Sequence, residues 1–133
     1  VLIFAGQIGW LVDDLLADLT ASDYLDGKIV LMPGLSDAEL RQAYRCCLFT
    51  VFPSLSEGWG LPIAESLMHG KFCVASNRTS IPEVGGSLID YFDPSNDDDA
   101  LAKIERLLLD PGYLTAREAR LRAEYRPRAH RQA

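Results

Sequence analysis

The chain has 133 residues, is 48% hydrophobic and carries a formal net charge of −6, which suits one globular domain with its own core. The acidic balance argues against nucleic-acid binding by the domain as a whole, and no apolar run reaches the ~20 residues of a bilayer span. Cys46, Cys47 and Cys73 lack the paired spacing of a zinc site, so they are expected to be reduced core thiols of a cytoplasmic protein.

Strand-like and helix-like patterns alternate along the chain. Continuous apolar runs predict strands, and apolar residues that recur at helical spacing predict helices. The predicted elements are a buried strand at 1–6, a helix at 11–19, a strand at 28–32, a helix at 36–45, a buried strand at 47–52, a helix from Pro62 to Gly70, a strand at 72–76, a loop at 77–82, a strand at 88–92, a helix capped at 96–99 and ended by Asp110-Pro111-Gly112, and a last helix from 114 to about 124. This alternation predicts parallel βαβ units and therefore an α/β, Rossmann-like, doubly wound parallel sheet.

Local signals support two of these helices. Ser36 and Glu39 have the spacing of a capping box, which predicts the start of the helix that buries Leu40 and Tyr44. Pro62 suits the first turn of the later helix, whose predicted apolar stripe is Ile63, Ala64, Leu67 and Met68.

The segment Pro53–Gly70, PSLSEGWGLPIAESLMHG, joins a strand to a helix through a glycine-rich turn. Gly58 and Gly60 bracket Trp59, and glycine permits a close backbone approach to a ligand or a positive φ. Unpaired N–H groups and the positive end of the helix dipole then point at one place, which favours phosphate. The turn is therefore predicted to be a phosphate site.

Two carboxylates flank this turn. Glu57 precedes the glycines, and Glu65 follows eight residues later, about one turn into the helix. Carboxylates accept hydrogen bonds from vicinal hydroxyls, so amides for a diphosphate beside acids for sugar hydroxyls indicate a nucleotide sugar. Spacing alone leaves a second interpretation open, because glycine-rich turns occur in every doubly wound fold and a Glu in a first helical turn commonly just complements the dipole.

The motif E-GWGLPIA-E resembles the Glu-x7-Glu motif of retaining glycosyltransferases of the GT-B fold, family 4, and the following segment HGKFCVASNRTSIPEVGGSLIDYFDP is similar to theirs as well. The likeness covers nearly the whole chain. It implies the C-terminal, donor-binding domain over residues 1–133, with residues 114–133 as C-terminal helix and tail. It also implies that a first strand and helix are missing, together with an Arg and a Lys for the donor diphosphate. We therefore expect the fragment alone to be inactive and to need an N-terminal acceptor domain.

The resemblance assigns roles to particular residues. Glu65 would accept hydrogen bonds from the ribose hydroxyls, and Glu57, the catalytic candidate, would contact the transferred sugar and steady charge at its anomeric carbon. The implied substrate-binding set is Met32, Pro33, Gly34, Glu57, Gly58, Trp59, Gly60, Leu61 and Glu65, and the second tier is Asn77, Arg78 and Glu83. Met32 to Gly34 would form the loop that contacts the base. His69 is expected to be a cap or surface group, and Glu83 to cap the following turn.

The implied function is retaining hexosyl transfer from a nucleoside-diphosphate sugar to a saccharide or lipid-linked acceptor, of the bacterial polysaccharide type. The donor is a substrate, so no cofactor and no metal are expected. The alternatives are a non-catalytic nucleotide-binding or scaffold domain and a GT-B-like sugar-nucleotide epimerase. A glycosidase is disfavoured because both acids would be committed to donor hydroxyls. The expected location is the cytoplasm, with peripheral contact to the inner face of the membrane as a further expectation.

Overall fold

A computed structural model of the chain describes residues 1–56 and 58–127. The chain divides into two compact units, Val1–Ala43 and Tyr44–Ala133, the second described as far as Pro127 apart from residue 57. Every strand pair in these residues is parallel, in a two-stranded sheet and a three-stranded sheet. The α/β class with parallel strands is therefore confirmed, while a single domain over 1–133 stays a prediction.

The first unit holds one strand pair with helices between its strands. Its elements are β1 (Leu2–Ala5), α1 (Asp13–Ala21), α2 (Asp23–Gly27) and β2 (Ile29–Met32), and α3 (Asp37–Cys46) crosses the division into the second unit. β1 pairs with β2 in parallel from Leu2 opposite Ile29 to Ala5 opposite Met32.

The prediction of a buried first strand was wrong. Leu2, Ile3 and Phe4 are 49%, 44% and 40% exposed. A parallel strand reads as a continuous apolar run because it is normally covered on both faces. The faces of a strand are covered only by helices or a second sheet packed on them, and β1 mainly contacts β2, which lies beside it in the sheet, so its apolar run stays accessible within the first unit.

The helices of the first unit differ from the prediction at their ends. α1 begins at Asp13, because Leu11 has a φ of +56° and a fully exposed side chain. In α2, Tyr24, Leu25 and Asp26 all have left-handed dihedrals, which cost about 1–2 kcal/mol each for such residues. Nothing in the side chains of these three residues signals left-handed backbone.

The capping box at the start of α3 is confirmed. The backbone N–H of Ser36 donates to Glu39 Oε2 at 2.8 Å, and the N–H of Glu39 donates to Ser36 Oγ at 3.3 Å. The hydrogen bond from the Ser36 backbone lowers the pKa of Glu39, with the Ser36 hydroxyl as the second cause. The reciprocal pair fixes where the helix starts.

The second unit is a three-stranded sheet covered by helices. Its elements after α3 are β3 (Thr50–Phe52), α4 (Leu61–Met68), β4 (Cys73–Ser76), α5 (Ile81–Gly85), β5 (Asp90–Phe92), α6 (Asp97–Leu109) and α7 (Pro111–Glu124). The strand order is β3-β4-β5, with Thr50 opposite Cys73 and Val74 opposite Asp90. β4 lies in the middle and is buried along its whole length.

Two hydrophobic clusters cover the two faces of β4. One contains Ile63, Leu67, Cys73, Ala75, Ile81, Ile89 and Leu121, and the other contains Phe72, Val74, Phe92, Leu107 and Leu114. Successive strand side chains point to opposite faces, which is why Val74 belongs to one cluster while Cys73 and Ala75 belong to the other. This part of the chain is therefore packed on both sides, as a doubly wound sheet requires.

Several boundaries in the second unit move from their predicted places. The strand predicted at 47–52 is confined to Thr50–Phe52 and is only partly buried, and the segment predicted as a loop at 77–82 already contains the start of α5. α6 and α7 are separated by Asp110 alone, because Asp110 caps α7 through the Tyr113 N–H at 3.0 Å and Pro111 suits a first helical position. In α4, Met68 is 65% exposed and so lies off the predicted stripe. No helix in the described part of the chain is long and apolar enough to cross a membrane.

Candidate functional site

The carboxyl ends of β3, β4 and β5 lie along one edge of the sheet, because all three strands are parallel. The loop after β3 is tied to its neighbours at this edge. Ser76, the last residue of β4, donates its hydroxyl to the Ser54 carbonyl, and Ser80 donates to the Gly58 carbonyl at 3.0 Å. Ligands of open α/β sheets bind at this edge, so the glycine-rich loop is fixed where the fold favours a ligand.

Gly60 joins the loop to α4. It occupies the N-cap with a left-handed φ of +60° and ψ of +39°, and it is buried. A Cβ at this position would lie 3.5 Å from the side chains of Ile63 and Val84. The Gly60 carbonyl accepts from the N–H groups of Ile63 at 3.0 Å and Ala64 at 3.2 Å. The expectation of a positive φ in this turn is confirmed at Gly60.

The start of α4 leaves backbone donors available. Within the described residues, no acceptor takes the N–H of Gly60 or of Leu61. The next residue is Pro62, which has no N–H, so these two are the donors that the helix start can offer to a ligand. The side chains of Trp59 and Leu61 are 72% and 54% exposed. Unpaired donors at the positive end of a helix favour an anion such as a phosphate.

Glu65 lies one turn into the same helix and is partly buried. Its Oε2 accepts a hydrogen bond from the Tyr44 hydroxyl at 3.0 Å. No donor among the described residues is bonded to the other oxygen, Oε1, which leaves that atom available to hydroxyl groups of a ligand. Glu57, the catalytic candidate, lies outside the described residues.

Tyr44 contacts Glu65 in the candidate site, and the sequence did not reveal this contact because its helical spacing marks Tyr44 only as a core residue. Its ring stacks on His69 with centroids 5.1 Å apart and an interplanar angle of 14°. Burial, and then the hydrogen bond to Glu65, raise the pKa of Tyr44 well above its usual value. The hydroxyl therefore remains a donor at neutral pH. Tyr44 and Glu65 are 21 positions apart in the sequence, so no local motif could have linked them.

The second-tier candidates Asn77 and Arg78 follow β4 at the same edge. Arg78 forms an ion pair with Asp93 at 3.0 Å, where both side chains are about half exposed. The pKa of Asp93 is lowered first by hydrogen bonds from the hydroxyl and N–H of Ser95 and then by the Arg78 charge. The Asn77 N–H donates to the Phe92 carbonyl at 3.0 Å, and its side chain is exposed. The Arg78 side chain is thus paired with a carboxylate, whereas the side-chain amide of Asn77 is exposed to solvent.

Glu83 and His69 occupy helix ends. Glu83 lies in the first turn of α5 with an exposed side chain that has no hydrogen-bond partner among residues 1–56 and 58–127, so the predicted side-chain cap is not formed there. His69 occupies the C-cap of α4, as expected, and its N–H donates to the Glu65 carbonyl at 3.1 Å.

The predicted base-contacting loop begins where β2 ends. Met32 is the last residue of that strand and its carbonyl accepts from the Gly6 N–H at 3.2 Å. Gly34 has a φ of +71°, which suits a tight turn after Pro33. These three residues belong to the first unit, whereas Gly60, Glu65 and Tyr44 belong to the second. The described part of the chain contains no group of three or more His, Cys, Asp or Glu side chains that could hold a metal ion.

The sequence is similar to those of several known glycosyltransferases. The chain is 36% identical over 119 residues to the O-antigen chain mannosyltransferase B of Escherichia coli, covering 90% of this chain and 31% of that protein. It is 37% identical over 86 residues to the serotype-specific mannosyltransferase WbdA of Escherichia coli, covering 65% and 11%. It is 34% identical over 124 residues to the D-inositol 3-phosphate glycosyltransferase of Thermobifida fusca, covering 85% and 27%.

The chain thus spans about a third or less of the length of these relatives. The family model described as glycosyl transferases group 1 matches residues 1–130, which is nearly the entire sequence. The chain belongs to the glycosyl transferases group 1 family.

Proposed function

We propose that this chain is the donor-binding part of a retaining glycosyltransferase, which transfers a hexosyl group from a nucleoside-diphosphate sugar to a saccharide or lipid-linked acceptor. One observation carries the proposal within the family. Among the described residues, no acceptor takes the N–H groups of Gly60 and Leu61 at the start of α4, and the same helix presents the Oε1 atom of Glu65 one turn later. Donors for an anion and an acceptor for hydroxyls therefore share one short helix.

The two parts of a nucleotide sugar match these groups. Diphosphate oxygens are acceptors without protons, so they pair with backbone N–H groups at a helix start, where the dipole also favours negative charge. Ribose hydroxyls are donors, and a carboxylate accepts two of them in charge-assisted hydrogen bonds. Glu65 is the ribose ligand in this assignment, and the amides of Trp59, Gly60 and Leu61 hold the sugar and phosphate oxygens.

The chemical step would break the bond between the anomeric carbon and the diphosphate oxygen. Positive charge develops on the sugar and negative charge on the leaving diphosphate, which the amides at the start of α4 stabilise. Glu57 is proposed to contact the hydroxyls of the transferred sugar and to steady the positive charge. The acceptor hydroxyl attacks from the face that the diphosphate leaves, forms the new bond to the anomeric carbon and gives its proton to the departing diphosphate, so the configuration is retained. The acceptor molecule that carries this hydroxyl would be bound by a domain elsewhere in the protein, in the cytoplasm or at the inner membrane face.

The names of the relatives suggest which donor to test first. Two of the three are mannosyltransferases by name, and the third is a D-inositol 3-phosphate glycosyltransferase. We therefore expect a mannosyl donor to be the best first candidate, with glucosyl and N-acetylglucosaminyl donors as comparisons.

Calorimetric titration of the full-length protein with UDP, GDP and ADP tests the proposal. We expect one of the three nucleotides to bind and the matching sugar nucleotide to be consumed in the presence of an acceptor. NMR of the product should show the anomeric configuration of the donor. Binding without transfer to any acceptor would favour a scaffold role, and no binding of any nucleotide would contradict the proposal.

A further inference from the structure

The hydroxyl of Tyr44 approaches two acceptors in the second unit. It lies 3.0 Å from Glu65 Oε2 and 3.4 Å from the Pro62 carbonyl oxygen. A phenol has one proton, and a charged acceptor at the shorter distance forms the stronger hydrogen bond. The proton is therefore directed at the Glu65 carboxylate.

The Tyr44 ring is itself held in place. It stacks on His69, which occupies the C-cap of α4. Tyr44 itself lies near the end of α3. A tyrosine side chain has few rotamers, and a packed ring adds a geometric constraint to the hydrogen bond at its tip. α4 thus carries the carboxylate, while α3 supplies the group that orients it.

A glutamate without such a partner samples several rotamers, and a ligand that needs one of them must overcome the lost freedom. With Oε2 bonded to Tyr44, the carboxylate plane is set and Oε1 remains without a donor among the described residues. An oxygen fixed in advance binds a rigid diol more strongly than one that must be ordered on binding.

We propose that Tyr44 is a positioning residue that orients the Glu65 carboxylate toward the two hydroxyls of a nucleotide ribose. The inference rests on the proposed function, because it takes Glu65 as the ribose ligand. Tyr44 acts through Glu65, so its hydroxyl should matter only when the nucleotide carries ribose hydroxyls and only when Glu65 is present.

The test compares two ligands in the full-length protein by calorimetry. One is the nucleoside diphosphate that the wild-type protein binds, and the other is its 2′,3′-dideoxy analogue. Tyr44→Phe keeps the ring and removes only the hydroxyl. We expect it to raise the Kd for the ribonucleotide about 3- to 10-fold, the size expected for one hydrogen bond, and to change the Kd for the dideoxy analogue less than twofold.

A double-mutant cycle and a matched control complete the design. On a Glu65→Ala background, Tyr44→Phe should have no further effect on the ribonucleotide. Tyr91→Phe removes another partly buried hydroxyl, which donates to the Gly86 carbonyl at 2.7 Å, and should leave both affinities unchanged. Melting curves of each variant establish that the fold is retained.

The results distinguish failure of the positioning role of Tyr44 from failure of the proposed function. Equal weakening of both ligands by Tyr44→Phe, or no weakening of either, would overturn the positioning role while leaving nucleotide binding in place. A wild-type protein that bound the dideoxy analogue as tightly as the ribonucleotide would remove the ribose role of Glu65, and the inference with it. A wild-type protein that bound no nucleotide would refute the proposed function itself.

Discussion

Cys73 shows at the scale of a single residue how burial in the second unit controls chemistry. It lies in β4 and is 1% exposed. Burial raises the pKa of its thiol from 9.0 to about 12, although the contact with Thr50 acts in the opposite direction. Thiolates are the reactive form of cysteine, so Cys73 is an inert core residue in the folded protein.

This raised pKa makes stability depend on pH. Above pH 9 the unfolded chain loses the Cys73 proton while the folded chain keeps it, so the free energy of unfolding falls as pH rises toward 12. Between pH 8 and 10 the loss from this thiol should be about 1 kcal/mol. Urea unfolding of wild type and Cys73→Ala at both pH values measures it.

The alanine variant should be less stable than wild type at pH 8 and should lose about 1 kcal/mol less on going to pH 10. Cys46, predicted to be a core thiol, is instead exposed. Val74→Ala, at a buried residue of β4 that does not titrate, is the control and should keep the wild-type pH dependence. An identical pH dependence in wild type and Cys73→Ala would show that the buried thiol does not contribute.

At the scale of one element, the start of α4 depends on the backbone of Gly60. Its left-handed φ turns the chain from the loop into the helix, and no acceptor among the described residues takes the N–H groups of Gly60 and Leu61 there. Other residues adopt these dihedrals only at a cost of about 1–2 kcal/mol. The geometry of the candidate anion site is therefore linked to the absence of a side chain at Gly60.

Gly60→Ala should lower the free energy of unfolding by about 1–2 kcal/mol, because the added Cβ meets Ile63 and Val84 only at van der Waals distance and the backbone cost dominates. Chemical denaturation measures the change. Gly58→Ala is the matched control, since its φ lies outside the left-handed range and nothing lies within 4 Å of the added Cβ. Equal stability of the two variants would contradict a special backbone role for Gly60.

Two helix starts followed the sequence because a side chain forms the cap there. Ser36 and Glu39 mark the start of α3, and Asn96 caps α6 by accepting from the Asp99 N–H at 3.1 Å. Asp110 and Pro111 were interpreted as a break, yet the same two residues suit an N-cap and a first helical position, which is how α7 uses them. The left-handed turn at Tyr24 depends on backbone energies that leave no pattern in side chains.

At the scale of the whole molecule, alternating strand and helix patterns predicted the class and the parallel pairing, because parallel strands need a crossover that returns the chain to the same edge. The exposure of β1 was not predictable in this way. An apolar run indicates that a strand has side chains suited to burial on both faces. Whether the strand is buried depends on which elements pack against it in the structure.

The candidate site was predictable where its parts are close in sequence. Gly60, Leu61 and Glu65 lie within six residues, so a strand-turn-helix pattern was enough to place them together. Tyr44 comes from the preceding helix and meets Glu65 only through packing of the second unit. Arg78 is a charged residue at the edge of the sheet where ligands are expected, but its ion pair with Asp93 could be seen only in the structure.

The central claim is that Glu65 binds the ribose of a nucleotide sugar, and the affinity of the Glu65→Ala variant of the full-length protein tests it most directly. Loss of two charge-assisted hydrogen bonds should weaken nucleotide binding by about 1–3 kcal/mol, or roughly 5- to 150-fold. Glu105→Ala removes an exposed carboxylate on α6 and should leave the affinity unchanged. The same Kd for wild type and Glu65→Ala, measured by calorimetry under identical salt conditions, would contradict the claim.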